Sequence, residues 1–208
     1  MNIVKRPISR TIIGFGAVYA APDGTGEAAD PPVVFPKFAN AVVGDQGTVE
    51  LAGDDLDLYG EPELAVVIGK TVPRYTTAEA ALSYVGGYTV ANDFTGRGHM
   101  SVDPQWLRGK TADGYLPIGD QMVTDLDVSQ PIALKMWIDG ELVVDGSTER
   151  LLFPVAKQIE FLSSFMTLHE GDVILTGAPG AAGPLQAGQE VIAELGGQLR
   201  VTTHITGR

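Results

Sequence analysis

Short runs of Val and Ile, separated by Gly, Pro or Asp, recur along almost the whole chain and constrain its fold more than any other feature. The runs are "TIIGFGAVY", "ELAVVIGK", "GGYTVAND", "IALKMWIDGELVV", "GDVILTG" and "EVIAEL". Such spacing is typical of β-strands. In "KMWIDGELVV" an Asp-Gly pair at residues 139 and 140 lies between two apolar runs, which predicts a hairpin. We therefore expect a β-rich fold of the α+β class with mixed β-sheets.

Only two segments have the pattern of helices, "TTAEAALSYV" and "PVAKQIEFLSSFMTL". The second segment places four apolar residues on one stripe: Val155, Ile159, Leu162 and Met166. So few helices exclude a regular alternation of strand and helix, and with it a doubly wound sheet. With 208 residues the chain suits one domain over 1–208.

The overall charge excludes one class of partner. The chain has 14 Lys and Arg against 26 Asp and Glu, a formal net charge of -12. Because Lys and Arg dominate phosphate binding, we expect cations and no nucleic acid as partners. The absence of cysteine excludes disulfides and thiolate metal sites. The apolar run after the basic N-terminus is too short for a signal peptide or a membrane span, so we expect a soluble cytoplasmic protein with no membrane partner.

Two acidic residues stand at the start of an apolar run in "YGEPELAVVIGK". In an extended chain residues two apart face the same way, so Glu61 and Glu63 share a face. One interpretation is a solvated entrance to a strand. The other is a site for a divalent cation, which needs a further oxygen ligand from elsewhere in the chain.

The stretch "GGYTVANDFTGRG" supplies a candidate for that ligand, because a strand-like run ends there in Asn92 and Asp93. Taken alone, Asn-Asp after a strand is typical of a turn. Functional sites are nevertheless common at strand ends and in the loops that follow them. Asp93 is therefore a candidate third ligand.

Four motifs occur in an order and spacing that resemble the fumarylacetoacetate hydrolase superfamily. They are "ELAVVIGK" preceded by E-x-E, "GYTVAND", "RGKTADGYLPIGD" and "FMTLHEGDVILTGAP", and the resemblance extends over nearly the whole chain from about residue 11. It implies a β-roll of mixed sheets with few short helices, a homodimer, and Mg2+ or Mn2+ as cofactor. The ligands that it implies are Glu61, Glu63 and Asp93.

The resemblance also implies substrate-binding and catalytic residues. Lys110 of the R-G-K motif would donate to a developing enolate oxygen, and a nearby cation would lower its pKa. Arg97 would bind a substrate carboxylate through a bidentate contact or, alternatively, form a structural ion pair. Thr176 and Gly177 of "LTGAP" match a turn that approaches the substrate.

The chain departs from the family pattern in residues 20–32, "AAPDGTGEAADPP", which we expect to form a mobile lid. Pro22 stands where hydrolytic members carry a lid histidine that activates water. Hydrolysis needs a general base near its water. Asp23, Glu27 and His99 are the candidate replacements.

The resemblance implies an enzyme that acts on a small 2-oxo or β-diketo carboxylic acid and hydrolyses a carbon-carbon bond next to a carbonyl through a metal-stabilised enolate. Two alternatives stay open. One is an isomerase, tautomerase or decarboxylase that acts on a related dienoate, which the missing lid histidine favours. The other is a metal-binding pseudoenzyme.

Overall fold

The computed structural model describes residues 2–7, 9, 11–51 and 57–207, and its fold is the expected α+β type with mixed sheets and few short helices. The strands in the described part of the chain are β1 (Ile3–Lys5), β2 (Ile12–Gly16), β3 (Val33–Lys37), β4 (Val42–Val43), β5 (Gly47–Leu51), β6 (Leu58–Tyr59), β7 (Pro62–Ile68), β8 (Val85–Asn92), β9 (Thr95–Gly96), β10 (Leu116–Pro117), β11 (Gln121–Val123), β12 (Ala133–Ile138), β13 (Glu141–Ser147), β14 (Val173–Leu175), β15 (Glu190–Leu195) and β16 (Leu199–Gly207). The α-helices there are α1 (Ala78–Ala81), α2 (Arg97–Met100), α3 (Leu107–Thr111) and α4 (Val155–Phe165), and short 3-10 turns span Ala39–Ala41, Leu82–Tyr84 and Thr148–Arg150.

Two larger sheets carry the architecture. One has seven strands in the order β1-β11-β8-β7-β14-β2-β3, and the other has five in the order β13-β12-β15-β16-β5. Both are mixed, because β2 pairs with β14 and β5 with β16 in parallel, while the other neighbours are antiparallel. Two-stranded sheets join β4 to β10 and β6 to β9.

Strand β7 lies in the middle of the seven-stranded sheet, and all seven of its residues are buried. Leu64, Val66 and Ile68 face a core that α4 covers. Ala65 and Val67 face a second core on the other side of the sheet. Burial on both faces explains why this strand reads as a continuous apolar run without alternation.

The predicted hairpin and the longer predicted helix are both confirmed. Strands β12 and β13 pair antiparallel, with Ile138 opposite Glu141, and the two turn residues, Asp139 and Gly140, have φ values of 50° and 82°. Positive φ at both positions is the geometry for which an Asp-Gly pair is favoured in a two-residue hairpin. Helix α4 ends at Phe165, so of the predicted stripe only Met166 lies just outside the helix.

Strands β2 and β14 are parallel neighbours although about 160 residues separate them in sequence. Their carboxyl ends therefore leave the sheet at the same edge. The chain after β2 continues into residues 17–32, and the chain after β14 continues into residues 176–189.

In the described ranges, no helix combines the length and the apolar character that crossing a membrane requires. The homodimer implied by the resemblance and the mobility of residues 20–32 stay predictions.

Helix α4 generates a test of the core. Leu162 is fully buried in the core beneath the helix, whereas Ser164 on the same helix is exposed. We expect Leu162→Ala to lower the free energy of unfolding by about 2–5 kcal/mol, because it removes buried methyl groups and leaves a cavity. Ser164→Ala should change it by about 0.5 kcal/mol or less. Denaturant titrations of both variants give the comparison, and equal losses would contradict this account of the core.

Candidate metal centre and active site

Three carboxylates meet at the end of the β7–β8 pair. Ligand atoms of Glu61, Glu63 and Asp93 all lie within 4.8 Å of one another. Glu61 directly precedes β7, Glu63 is its second residue, and Asp93 follows the last residue of β8. The antiparallel register, with Pro62 opposite Asn92, brings the two segments together. The structure therefore assembles the three residues that the sequence singles out as metal ligands.

Hydrogen bonds hold the three carboxylates in position. Asn92 accepts the backbone N–H of Glu61 through Oδ1 at 2.7 Å, and the backbone N–H of Asp93 donates to the Glu61 carbonyl at 2.9 Å. The Glu63 Oε2 atom accepts the backbone N–H of Gly177 at 2.7 Å. These bonds limit the freedom of the carboxylates before any ligand binds, which is the property that a metal site needs from its surroundings.

The surroundings of Glu63 disfavour the charged form of its carboxyl group. Its side chain is buried, and burial together with the nearby Asp93 carboxylate raises the pKa of Glu63 well above its usual range. The ammonium of Lys110 acts in the opposite direction. A proton held by Glu63 must leave when its oxygen coordinates a cation.

Lys110 lies between two of the carboxylates. Its Nζ atom donates to Glu61 Oε2 at 2.9 Å, to Asp93 Oδ2 at 2.6 Å and to Thr95 Oγ1 at 2.7 Å. Burial alone would lower the pKa of Lys110, but the carboxylates of Asp93 and Glu61 raise it overall. At neutral pH Lys110 is therefore an ammonium and a hydrogen-bond donor. The lowering expected from the sequence refers to a bound cation, and it stays a prediction.

Lys37 is a residue of the site that the sequence analysis did not identify. It is buried in β3, and its Nζ atom donates to the carbonyls of Phe94 at 3.0 Å and Tyr115 at 2.6 Å. The same atom lies 2.5 Å from Asp93 Oδ1. Burial lowers the pKa of Lys37 to about 8, although Asp93 acts in the other direction. The available signal was the strand period of two, which places Lys37 on the same inward face as Phe35.

A cavity of about 530 Å³ opens in front of the carboxylates. Its charged lining residues are Glu61, Glu63, Arg97 and Lys110. Part of the remaining wall is apolar and includes Phe15, Phe35, Met100 and Trp106. Two loop segments complete it, residues 19–22 and residues 178–181. The cavity thus combines a charged end with apolar walls, the usual character of a small-molecule site.

Arg97 lines this cavity, whereas His99 does not belong to the described residues that line it. The Arg97 guanidinium lies over the Tyr59 ring, 3.8 Å from its centroid. Arg97 makes no ion pair with a carboxylate in the described ranges, so the structural ion pair considered above is not formed there. His99 is half-buried in α2. Its catalytic role stays a prediction.

Thr176 and Gly177, which directly follow β14, support β7 and Glu63 and do not belong to the described lining of the cavity. The Thr176 hydroxyl donates to the Leu64 carbonyl at 2.9 Å, and the backbone N–H of Gly177 donates to Glu63. Gly177 has a φ of 89°, and a Cβ atom there would meet Val18 Cγ2 at 2.5 Å. Glycine is therefore required for both conformation and space. Substrate contact by Thr176 and Gly177 stays a prediction.

The lid segment contributes its first residues to the cavity. Ala20, Ala21 and Pro22 line it, whereas Asp23 and Glu27 are exposed and not among its described lining residues. Asp23 Oδ1 accepts both the backbone N–H and the hydroxyl of Thr25, in a local turn. In this conformation neither acidic residue replaces the expected histidine.

The donor set fits a divalent cation. All three ligands are carboxylates, and oxygen donors of this kind suit Mg2+ and Mn2+. Asp93 Oδ1 is in ion-pair contact with Lys37, yet it accepts no hydrogen bond of acceptable geometry in the described part of the chain. A buried carboxylate oxygen therefore retains a lone pair without a hydrogen-bond partner. Glu61, Glu63 and Asp93 would hold the cation.

The sequence model of the family described as "Fumarylacetoacetate (FAA) hydrolase C-terminal" matches residues 12–206. The chain belongs to the fumarylacetoacetate hydrolase family. The match includes all three carboxylates, both lysines and the two loop segments of the cavity. The predicted membership is thereby confirmed.

Relatives in the fumarylacetoacetate hydrolase family include a tautomerase, an isomerase and a hydrolase. Oxaloacetate tautomerase FAHD2B, mitochondrial, from Bos taurus is 34% identical over 203 residues, which are 92% of this chain and 64% of the relative. The chain thus spans less than two thirds of that relative's length. The crystal structure of 5-carboxymethyl-2-hydroxymuconate delta-isomerase from Mycobacterium smegmatis matches with a TM-score of 0.91 at 34% identity, covering 99% of this chain and 82% of the other.

A third relative was crystallised with a metal. The structure of fumarylpyruvate hydrolase from Pseudomonas aeruginosa in complex with Mn2+ and pyruvate matches with a TM-score of 0.87 at 26% identity, covering 99% of this chain and 96% of the other. Together with the acidic triad, it indicates a divalent cation for this chain.

The carboxylate triad generates a metal-binding test. We expect Glu63→Gln to weaken Mn2+ binding by roughly tenfold or more, because the variant loses a charged ligand while its amide oxygen can still accept the Gly177 N–H. The exposed Glu170→Gln is the matched control and should bind like the parent. Isothermal titration calorimetry measures both. If Glu63→Gln binds Mn2+ as tightly as the parent, Glu63 is not a ligand.

The raised pKa of Glu63 generates a pH test. Since the cation competes with a proton for this carboxylate, metal affinity should increase as pH rises through the raised pKa, and should fall on acidification. Proton release on binding should be visible as a dependence of the calorimetric enthalpy on the ionisation enthalpy of the buffer. This release should be reduced in Glu63→Gln. An affinity that does not change from pH 5 to 8 would contradict the assignment.

Proposed function

We propose that the chain is a divalent-cation-dependent enzyme that binds a small 2-oxo acid and transfers a proton next to its keto group, as a tautomerase or isomerase. The observation that carries the proposal is the cavity itself. Two carboxylates of the triad, Glu61 and Glu63, line it together with the cationic Arg97 and Lys110, Asp93 lies buried beside them, and no histidine belongs to its described lining. Proton transfer next to a carbonyl requires no attacking water and therefore no base that activates one; solvent water that reaches the cavity can take the proton from the enol oxygen or carbon and return one to the other atom.

The cation would supply Lewis acidity toward the keto and carboxylate oxygens of the substrate. Lys110 holds its proton at Nζ because the surrounding carboxylates raise its pKa, and it can donate a hydrogen bond to an oxygen on which negative charge develops. All three of its donors are bonded within the protein, so contact with a substrate requires one of these bonds to be exchanged.

Arg97 would bind a carboxylate of the substrate. It lines the cavity, its guanidinium lies over the Tyr59 ring, and a guanidinium can bind a carboxylate through two parallel hydrogen bonds. The apolar wall of Phe15, Phe35 and Trp106 would exclude water from the other side of the ligand. Water exclusion strengthens the charge interactions at the polar end.

Hydrolysis of a carbon-carbon bond is the second candidate function. The observation that favours it is the match to fumarylpyruvate hydrolase, since the alignment covers 96% of that chain and 99% of this one. The two functions differ in their products. Hydrolysis of an acylpyruvate yields two acids, whereas tautomerisation and isomerisation conserve mass.

Product analysis on two substrate types tests the proposal. We expect the Mn2+-loaded protein to accelerate the loss of ultraviolet absorbance by the enol form of oxaloacetate, and to release little acid from acylpyruvates. Glu63→Gln serves as the metal-site control and should be slow in both assays. Rapid formation of two acids, at about 10 per second, would support hydrolysis instead. No turnover of either type by a protein that binds metal would support a pseudoenzyme.

Lys110 provides a test of the mechanism. We expect Lys110→Met to lower turnover by roughly 10²-fold, the scale seen when one donor to a developing oxyanion is lost. Mn2+ affinity should not fall, because an ammonium has no lone pair to give a cation and its removal leaves two carboxylates less compensated. Steady-state kinetics and calorimetry measure the two quantities separately. Unchanged turnover would remove Lys110 from the mechanism, and parallel losses of turnover and metal affinity would indicate a structural role.

A further inference from the structure

The cavity lies between two loop segments that come from distant parts of the sequence. One is residues 19–22 at the start of the lid, and the other is residues 178–181 after β14. The second segment is anchored at its end, because Ala182 and Gly60 exchange two backbone hydrogen bonds of 3.1 and 2.9 Å. The separation of the two segments sets the width of the cavity.

Arg150 is bonded to both segments. Its Nη1 atom donates to the Ala20 carbonyl at 3.0 Å, and its Nη2 atom donates to the Pro179 carbonyl at 2.9 Å. The backbone of Arg150 also accepts the Ala20 N–H at 2.9 Å, and that of Leu152 donates to the Val18 carbonyl at 2.8 Å. The start of the lid is thus bonded to the Arg150 side chain and to the backbone of residues 150–152.

The chemistry of this connection requires a guanidinium. Two nitrogens on a rigid plane can reach two carbonyls in different directions at once, whereas a lysine offers a single ammonium. Arg150 forms no ion pair with a carboxylate in the described residues. Two carbonyls, and no carboxylate, therefore compensate its half-buried positive charge. Such burial of a charge is costly, and a role in positioning the two segments would explain why it is present.

We propose that Arg150 is a positioning residue that fixes the spacing between the lid base and residues 178–181 and so sets the affinity of the cavity for its organic ligand. The proposal rests on the proposed function, because it assumes that a small 2-oxo acid binds between these segments. Arg150 is not itself among the described lining residues, and it acts through its bonds to the backbones of two of them, Ala20 and Pro179.

Two variants separate the effect of the two hydrogen bonds of Arg150 from the effect of its charge. Arg150→Lys keeps the charge and loses the double contact, while Arg150→Met loses both and keeps an apolar stem. We expect each variant to bind oxalate about tenfold more weakly than the parent in the presence of Mn2+, the scale of a lost hydrogen bond to a charged group. Mn2+ affinity should stay that of the parent, which a general loss of structure would not allow.

Arg74→Lys is the matched control. The Arg74 guanidinium also donates to a backbone carbonyl, that of Ser164 at 2.8 Å, but it lies outside the described lining of the cavity. Oxalate should bind this variant like the parent. Calorimetric titrations of all four proteins with Mn2+ and then with oxalate give the comparison. If Arg150→Lys binds oxalate like the parent, the two hydrogen bonds of Arg150 do not set the affinity and the proposal is wrong.

Hydrogen exchange supplies a readout that does not depend on the proposed function. In Arg150→Lys the amides of residues 19–25 and 178–182 should exchange about tenfold faster than in the parent, while peptides from β7 and β8 should not change. Unchanged exchange in both segments would overturn the proposal even if the parent binds no oxalate. Should Arg150→Met fail to fold, the lysine variant alone decides. Failure of the parent to bind oxalate would instead count against the proposed function.

Discussion

The burial of five ionisable side chains at the end of β7 and β8 is the constraint on which the site depends. Glu63, Asp93, Lys37 and Lys110 are almost fully enclosed, and Glu61 is partly exposed at the cavity. Isolated buried charges are costly, and they persist only when partners and hydrogen bonds compensate them. Three carboxylates face two amines, so the cluster keeps an excess of negative groups. A divalent cation would balance that excess, which makes metal binding and the integrity of the core parts of one electrostatic arrangement.

The features that the sequence predicted correctly depend on local periodicity. Alternation within an extended chain placed Glu61 and Glu63 on one side, and the Asp-Gly pair fixed the turn between β12 and β13. The apolar stripe located α4 to within one residue of its end. Strands β3 and β16 were not identified, because Pro36 interrupts the apolar run of β3 and the polar residues Thr202, Thr203 and His204 interrupt that of β16.

Residues whose roles arise from tertiary contacts could not be predicted in the same way. No residue next to Lys37 in sequence indicates a carboxylate partner, since Asp93 lies beside it only in the fold, where α3 packs against both β3 and β9. Gly177 matched a motif, but its bond to Glu63 depends on β14 pairing with β7. Lys110 also matched a motif, but the two carboxylates that raise its pKa surround it only in the fold. Each of these contacts depends on distances between residues that are remote in sequence, which the sequence pattern does not give.

The parallel pairing of β2 with β14 separates what must stay constant from what is free to change over evolution. Both strands end at one edge, where one continues into the lid and the other into residues 176–189, while the carboxylates are held by β7 and β8 beside them. Insertions or deletions after β2 or β14 therefore alter the cavity without breaking a strand ladder. The two loops can therefore differ in length and sequence while the three carboxylates keep their positions.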